Sequence, residues 1–259
     1  MERITARNND KIKYAVQLST SSSKRREMGE FFLEGARLCS DAAKTGVRFV
    51  RAFFTSSALE KYFEYISDIT DVCSECYEIS NEVASKLSDT GSAQGVFCIC
   101  KFGGNTVSPI DFNGKYLALE NIQDPSNLGA ISRSAEALGI SGLIVSGGCD
   151  IYNPKALRAA MGSSLRIKIT VTENLSELLN QCKKAGMLTL ASVPNGNADD
   201  IRSVDFTRGT VICVGNEGNG LTEETINACE KQVTIPMGGR AESFNASAAA
   251  AILAWELKR

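Results

Sequence analysis

Apolar residues recur along this chain in two rhythms, one of strands and one of helices, and the two alternate. Phe31, Phe32 and Leu33 form a short apolar run followed by an amphipathic stretch ending near Gly46, which predicts a strand and then a helix. VRFVRAFFT (residues 47–55) has strand composition, ALEKYFEYIS reads as a helix, CYEISNEVASKLSD leads into a further helix, and QGVFCICKF returns to strand. KFGGNTVSPIDF (residues 101–112) carries two glycines, an asparagine and a proline without sustained periodicity, and predicts the domain boundary. Beyond it KYLALENI, GLIVSG, RIKITVT, MLTLASV, TVICVGN and QVTIPMG read as strands. Between them GAISRSAEALG reads as a helix closed by a C-cap glycine, NPKALRAAMGSSL as helical, and SELLNQCKKAG as a helix with Ser176 as N-cap. SFNASAAAAILAWELKR closes the chain as an alanine-rich helix. The expected fold is α/β: a mostly parallel sheet with helices on both faces over residues 114–259, a linker over 104–113, and a smaller α/β domain over 1–103.

Composition narrows the chemistry. A chain of 259 residues with 43% hydrophobic content can supply real cores. It holds no run of about 18 apolar residues, and its first residues lack the apolar core of a secretory signal, so the expected location is the cytoplasm, without membrane insertion. The nine cysteines are odd in number, scattered and mostly set among apolar residues, as thiols are in a reducing compartment. Cys73 and Cys76 make the single C-x-x-C, and with no histidine in the chain they do not complete a four-ligand zinc site, so no metal is expected. The absence of histidine also removes Ser-His and Cys-His nucleophiles and the commonest general base near neutral pH. A net charge of −2 gives no overall basic field, so nucleic-acid binding would require charge segregated into patches.

Three segments stand out. LENIQDPSNLGAISRSAEALG (residues 119–139) leaves a buried strand and opens a helix, a place where α/β sheets gather ligands. Asp124, Pro125 and Asn127 suit a capped helix start as well as a chemical role. Arg133 lies among small residues, where a phosphate can approach its planar guanidinium. VICVGNEGNGL (residues 211–221) runs a strand into three glycines, which serve a tight turn or a close approach of backbone to ligand; it is neither a Walker A loop nor a dinucleotide fingerprint. VTIPMGGRAESFNAS (residues 233–247) sets backbone polar groups beside apolar walls, which suits a purine edge and a ribose, and either Ser243 or Asn245 can cap the last helix.

In this order, near the end of the chain, the three segments resemble the motifs of SpoU/TrmH-type methyltransferases. The first family pattern, an Asn, Gly-Ala-Ile and an Arg, is met by Asn127, Gly129, Ala130, Ile131 and Arg133. The second, Gly-x-Glu-Gly-x-Gly, is met by Gly215, Glu217, Gly218 and Gly220. The third, Ile-Pro-Met followed by Ser-Leu-Asn-Val-Ser, is met by Ile235, Pro236, Met237, Ser243, Asn245 and Ser247, with Phe244 and Ala246 in place of Leu and Val. Ser134 stands where Thr is frequent, MGSSLRIKI resembles the family's connecting segment, and SKRREMGEFFLEGARL resembles the small RNA-binding domain of many members.

The resemblance implies an S-adenosylmethionine-dependent enzyme that methylates a ribose 2′-hydroxyl in RNA, ribosomal more than transfer RNA by analogy. It also implies a C-terminal trefoil knot and a homodimer formed through the C-terminal domain. It assigns cofactor contacts to Gly215, Ile235, Met237, Phe244 and Asn245, and the reaction to Arg133 with Asn127, Glu217, Ser243 and Asn245. Arginine as a literal base is disfavoured by a side-chain pKa above about 12, which leaves proton acceptor and positioning clamp as open roles. The methyl group already bears a cationic leaving group, so no metal is required. Lys24, Arg25, Arg26 and Arg240 are expected to grip RNA, with Arg158, Arg166, Arg202 and Arg208 as further candidates. The rival readings are an RNA-binding protein with an inactive methyltransferase domain and a dinucleotide-dependent oxidoreductase.

Overall fold

The computed structural model describes residues 1–89, 93–103, 109–194 and 196–259, so residues 104–108 of the expected linker lie outside the described residues. The chain divides into two compact units, Met1–Gly103 with Tyr152–Leu165, and Gly104–Ile151 with Arg166–Arg259.

In the first unit the chain runs β1 (Glu2–Ile4), α1 (Asp10–Thr20), α2 (Ser22–Met28), β2 (Glu30–Glu34), α3 (Ala36–Lys44) and β3 (Phe49–Thr55). It continues through α4 (Ser56–Lys61), α5 (Phe63–Thr70), β4 (Cys76–Ile79), α6 (Asn81–Leu87) and β5 (Val96–Lys101). The described strands form one mixed sheet in the order β1-β4-β3-β5-β2, with β2 and β3 antiparallel to β5. β2 is buried along its whole length because α1 packs on it as well as α3. One core joins Phe32, Phe53, Phe97 and Ile99 of the sheet to Ile12, Ala15 and Leu18 of α1 and to Val83 and Leu87 of α6. Each such large apolar side chain contributes roughly 1.5–3 kcal/mol over leaving it exposed.

The second unit begins with β6 (Lys115–Glu120), α7 (Pro125–Ala137) and β7 (Gly142–Ser146). α8 (Pro154–Ala160) then belongs with the first unit, where Tyr152 stacks on Phe102 with centroids 4.1 Å apart and an interplanar angle of 5°. β8 (Ile169–Val171), α9 (Leu175–Lys184), β9 (Leu188–Ser192), β10 (Asp199–Asp200) and β11 (Thr210–Val214) follow, and α10 (Glu223–Ala228), β12 (Lys231–Thr234) and α11 (Ala246–Lys258) complete the unit. The described strands lie in the order β10-β12-β9-β11-β6-β7-β8, and every pairing is parallel. Purely apolar runs such as TVICV suit strands covered on both faces. The chain steps outward from β6 to β8, then crosses to β9, and β11 enters between β9 and β6. The carboxyl ends of strands at such a reversal are where open α/β sheets take ligands.

Local starts follow the sequence with one exception. Asp124 caps α7 with Pro125 in its first turn, as expected. α9 is capped by Asn174, whose side chain accepts from the Glu177 amide, and not by Ser176, which lies inside the first turn and donates to Asn174. No helix among the described residues is long and apolar enough to cross a membrane.

Candidate functional site

At the carboxyl ends of β9, β11 and β12 lies a cavity of about 660 Å³. Its lining includes Gly215, Ile235, Met237, Ser243, Phe244 and Asn245, which the second and third segments contribute from distant parts of the chain. Ser192, at the end of β9, and Val193 and Pro194 after it close another side and carry no motif in the sequence. The signal was there, since MLTLASVP is a strand end in a parallel sheet, but no distinctive motif marks it.

The glycine loop is shaped by contact. A Cβ on Gly215 would lie 2.2 Å from the Gly220 carbonyl carbon and 2.3 Å from the Leu221 nitrogen, so a side chain there collides with backbone. Gly220 itself has φ +68°, the left-handed region that glycine adopts without cost. Asn216 and Gly220 exchange backbone hydrogen bonds of 3.0 and 2.9 Å, and the Asn216 Oδ1 accepts from the amides of Gly218 and Asn219. The result is a tight turn with its backbone drawn against the cavity.

Two further contacts fasten this loop to the start of α7. Asn216 Nδ2 donates to the Asn121 carbonyl at 2.8 Å. The Glu217 carboxylate accepts from the amides of Gln123 (3.1 Å) and Asp124 (3.4 Å) and from Asn127 Nδ2 (2.9 Å). On the far side of the loop the buried Glu120, at the end of β6, accepts from the Thr222 amide at 2.8 Å and from the hydroxyls of Thr222 and Thr225. Glu120 and Asn216 carry structural weight that no motif reading assigned them.

A directed chain of hydrogen bonds crosses the site. Asn127 donates to Glu217, and its Oδ1 accepts from Asn245 Nδ2 at 3.1 Å. Asn245 Oδ1 in turn accepts from the amides of Ser247 and Ala248 and from the Ser247 hydroxyl, which caps α11. With an acceptor-only carboxylate at one end and backbone donors at the other, both amide orientations are fixed. Burial pushes the Glu217 carboxyl up, but the hydrogen bonds from Asn127 and the backbone amides of Glu217, Gln123 and Asp124 outweigh it and hold its pKa below the ordinary 4.5. Glu217 is therefore an anion at neutral pH that positions Asn127. Between Ser243 and Asn245, the capping role falls to Asn245.

Arg133 is placed differently. It lies on the exposed side of α7, with no hydrogen bond or ion pair among the described residues, while Asn127, Ile131 and Ala135 face inward. The helical repeat separates the two sets, because six residues on from Asn127 is about 240° around the axis. The helix α7 packs on α11.

Of the residues expected to hold RNA, Arg26 and Arg240 are exposed without an ion pair among the described residues. Lys24 pairs with Glu27 at 3.1 Å. Arg25 is corrected: it is 2% exposed, and its guanidinium donates to the carbonyls of Leu18 (2.6 Å) and Ser19 (3.4 Å), satisfying the carboxyl end of α1. Arg158, Arg166, Arg202 and Arg208 each pair with an acidic residue, respectively Glu34, Glu136, Asp200 and Glu230.

The cavity suits a nucleoside-bearing ligand. Its volume falls in the range of about 300–1,000 Å³ usual for small-molecule sites, and its walls combine the apolar Val193, Leu221, Ile226 and Phe244 with the close-packed glycine backbone.

The sequence pattern of the SpoU rRNA Methylase family matches residues 114–255, and that of the MRM3-like substrate binding domain matches residues 9–98. A tRNA/rRNA methyltransferase of Synechocystis, itself uncharacterized, is 31% identical over 99% of this chain and 93% of its own length. The 23S rRNA (guanosine(2553)-2′-O)-methyltransferase RlmP of Bacillus subtilis is 27% identical over the full length of both proteins. Among solved structures, an AdoMet-bound rRNA methyltransferase of Sinorhizobium meliloti superposes with a TM-score of 0.85 at 27% identity, covering 99% of this chain and 97% of that one. The SpoU methyltransferase AviRb of Streptomyces viridochromogenes, in complex with AdoMet, gives 0.86 at 25% identity, covering 97% of each chain. With more than half of its residues matched by the family pattern, the chain belongs to the SpoU rRNA methylase family.

Proposed function

We propose that the protein transfers a methyl group from S-adenosylmethionine to a ribose 2′-hydroxyl of ribosomal RNA. The observation that carries this reading is the hydrogen-bonded chain Glu217–Asn127–Asn245 at the edge of the glycine-loop cavity. It joins all three family segments and fixes amide groups beside a space of nucleoside size. The name of the RlmP relative, a 23S rRNA (guanosine(2553)-2′-O)-methyltransferase, supports ribosomal RNA and the 2′-oxygen.

When bound, the cofactor supplies a methyl group on a cationic sulfur, which makes that carbon electrophilic. Gly215, Ile235, Met237 and Phe244 would hold it, chiefly through backbone and apolar contact. Asn127 and Asn245, their orientations set by Glu217, would orient the ribose hydroxyl, and Ser243 would lie beside them. Orientation of this kind is worth about 7 kcal/mol or more in well-aligned systems. Arg133 is available to a phosphate flanking the target ribose, as a clamp.

A second copy of the chain belongs to the same proposal. α11 leaves Trp255 64% exposed, a large apolar group suited to an interface, so a homodimer through the C-terminal unit, with the trefoil threading of the family and a cytoplasmic location, completes the reading. Titration calorimetry with S-adenosylmethionine tests it: one site per chain is expected, and absence of binding at millimolar cofactor would sink the enzyme reading. Sedimentation of the pure protein as a monomer would remove the dimer.

A further inference from the structure

The first unit has a cavity of its own, of about 350 Å³, walled by β2, the first turns of α3, and α8 with the residue after it. We propose that it receives one unstacked nucleotide of the RNA, with Arg37 on the phosphate. The inference rests on the RNA-methylating reading, and nothing in that reading uses this cavity.

The floor is built around one guanidinium held between two carboxylates. Glu34, the last residue of β2, is buried and accepts from Arg158 Nη1 at 3.1 Å and from the Ser88 hydroxyl. The other arm of Arg158 reaches Asp89, also at 3.1 Å. Arg158 is thus matched by carboxylates and contributes shape more than free charge. Arg37 differs: it is exposed on the first turn of α3 and has no ion pair among the described residues. It places a guanidinium without an ion-pair partner on the rim.

The remaining wall offers one donor, one acceptor and two apolar surfaces. Because the N-cap of α3 is Gly35, with no side chain to serve it, Gln94 Oε1 accepts from the Ala36 amide at 2.8 Å. That bond fixes the Gln94 amide and leaves its NH₂ as donor. Asp41, four residues after Arg37 and therefore on the same side of α3, supplies an acceptor. Leu38 is buried, and Met161, at the C-cap of α8 with φ 50°, keeps its side chain on the wall.

This inventory discriminates among ligands. A free small anion has no use for Leu38 and Met161. A duplex cannot enter a space at the lower end of the range of about 300–1,000 Å³ that ligand pockets occupy. A single nucleotide uses every part: phosphate on a guanidinium fork, base face on apolar side chains, base edge on an amide donor and a carboxylate acceptor. Single-stranded RNA presents its bases in this splayed form.

The test uses the full-length protein and deproteinised ribosomal RNA from cells lacking it. Ultraviolet crosslinking followed by mass spectrometry should place a nucleotide on the peptide containing Leu38 or on that containing Met161. Arg37→Ala should weaken RNA binding about tenfold and lower the slope of log affinity against log salt by roughly 0.7, the share of one phosphate on a single strand. Arg37→Lys should restore most of that slope, and unchanged S-adenosylmethionine affinity in both variants verifies their folding. Unchanged RNA affinity and salt slope in Arg37→Ala, with crosslinks confined to other peptides, overturns the proposal. Because binding is read without turnover, wild-type protein that crosslinks here yet transfers no methyl group overturns the proposed activity alone.

Discussion

Two glycine-bearing loops border the methyltransferase cavity, and they are held in opposite ways. The loop at residues 215–221 is fastened on every side, by Asn216 to Asn121, by Glu217 to the start of α7, and by Thr222 to Glu120. The loop at residues 238–244 is exposed throughout and makes no hydrogen bond among the described residues until Asn245 caps α11. The glycines show the same contrast. A Cβ on Gly215 meets backbone at 2.2 Å, whereas a Cβ on Gly238 or Gly239 meets nothing within 4 Å. One loop is fixed by its hydrogen bonds; the other is exposed and unfastened among the described residues. The difference locates preorganisation in the first loop and adaptability in the second.

Substitutions can break that contrast. Within the two loops, the largest effect on cofactor binding is expected from Gly215→Ala. Overpacking costs about 1–3 kcal/mol where side chains can shift, and here backbone must move, so cofactor affinity by calorimetry should fall by roughly a hundredfold or more. Glu217→Ala comes next, because it leaves Asn127 without its anchor. Hydrogen bonds to a charged group contribute about 1.5–3 kcal/mol, so kcat/KM for RNA methylation should drop about ten- to a hundredfold.

The pH dependence sharpens the same point. The Glu217 carboxyl titrates below its ordinary 4.5 in the folded protein, so its contribution is fully present above that value and is lost as pH falls through the lower folded value. The difference in cofactor affinity between wild type and Glu217→Gln should therefore be constant at neutral pH and vanish under acid. A difference that persists there would assign Glu217 a role independent of its charge. Phe244→Ala, in the free loop, should raise the cofactor Kd only about fivefold, for roughly 1 kcal/mol of partly buried apolar contact. Gly239→Ala should have the smallest effect, leaving the melting temperature unchanged and the cofactor Kd within about twofold.

Much of the second unit was legible before any coordinates. Apolar runs such as TVICV and KYLALE announce buried parallel strands, and the pairing Asp124-Pro125 announces the start of α7. Gly215, Met237 and Asn245, which the family motifs assign to the cofactor, line one cavity in the structure. What escaped depends on partners remote in sequence. That Glu217 anchors Asn127 across ninety positions, or that Glu120 holds Thr222, follows from strand order, which periodicity does not encode. Arg25 shows the opposite failure. Within the run Lys24-Arg25-Arg26 it reads as a solvated cation, yet the turn between α1 and α2 folds it onto open carbonyls. The helix α1 is less legible, since its buried Ile12, Ala15 and Leu18 are interleaved with Lys11, Lys13 and Gln17.

The most direct test of the central claim is methyl transfer itself. Purified protein, S-adenosylmethionine labelled in the methyl group and unmodified ribosomal RNA should yield label that, after alkaline hydrolysis, remains in dinucleotides, because a methylated 2′-oxygen cannot attack the adjacent phosphate. Arg133→Ala should lose that product while still binding cofactor. Label recovered instead in mononucleotides with a methylated base, or no transfer by a protein that binds both cofactor and RNA, would contradict the account.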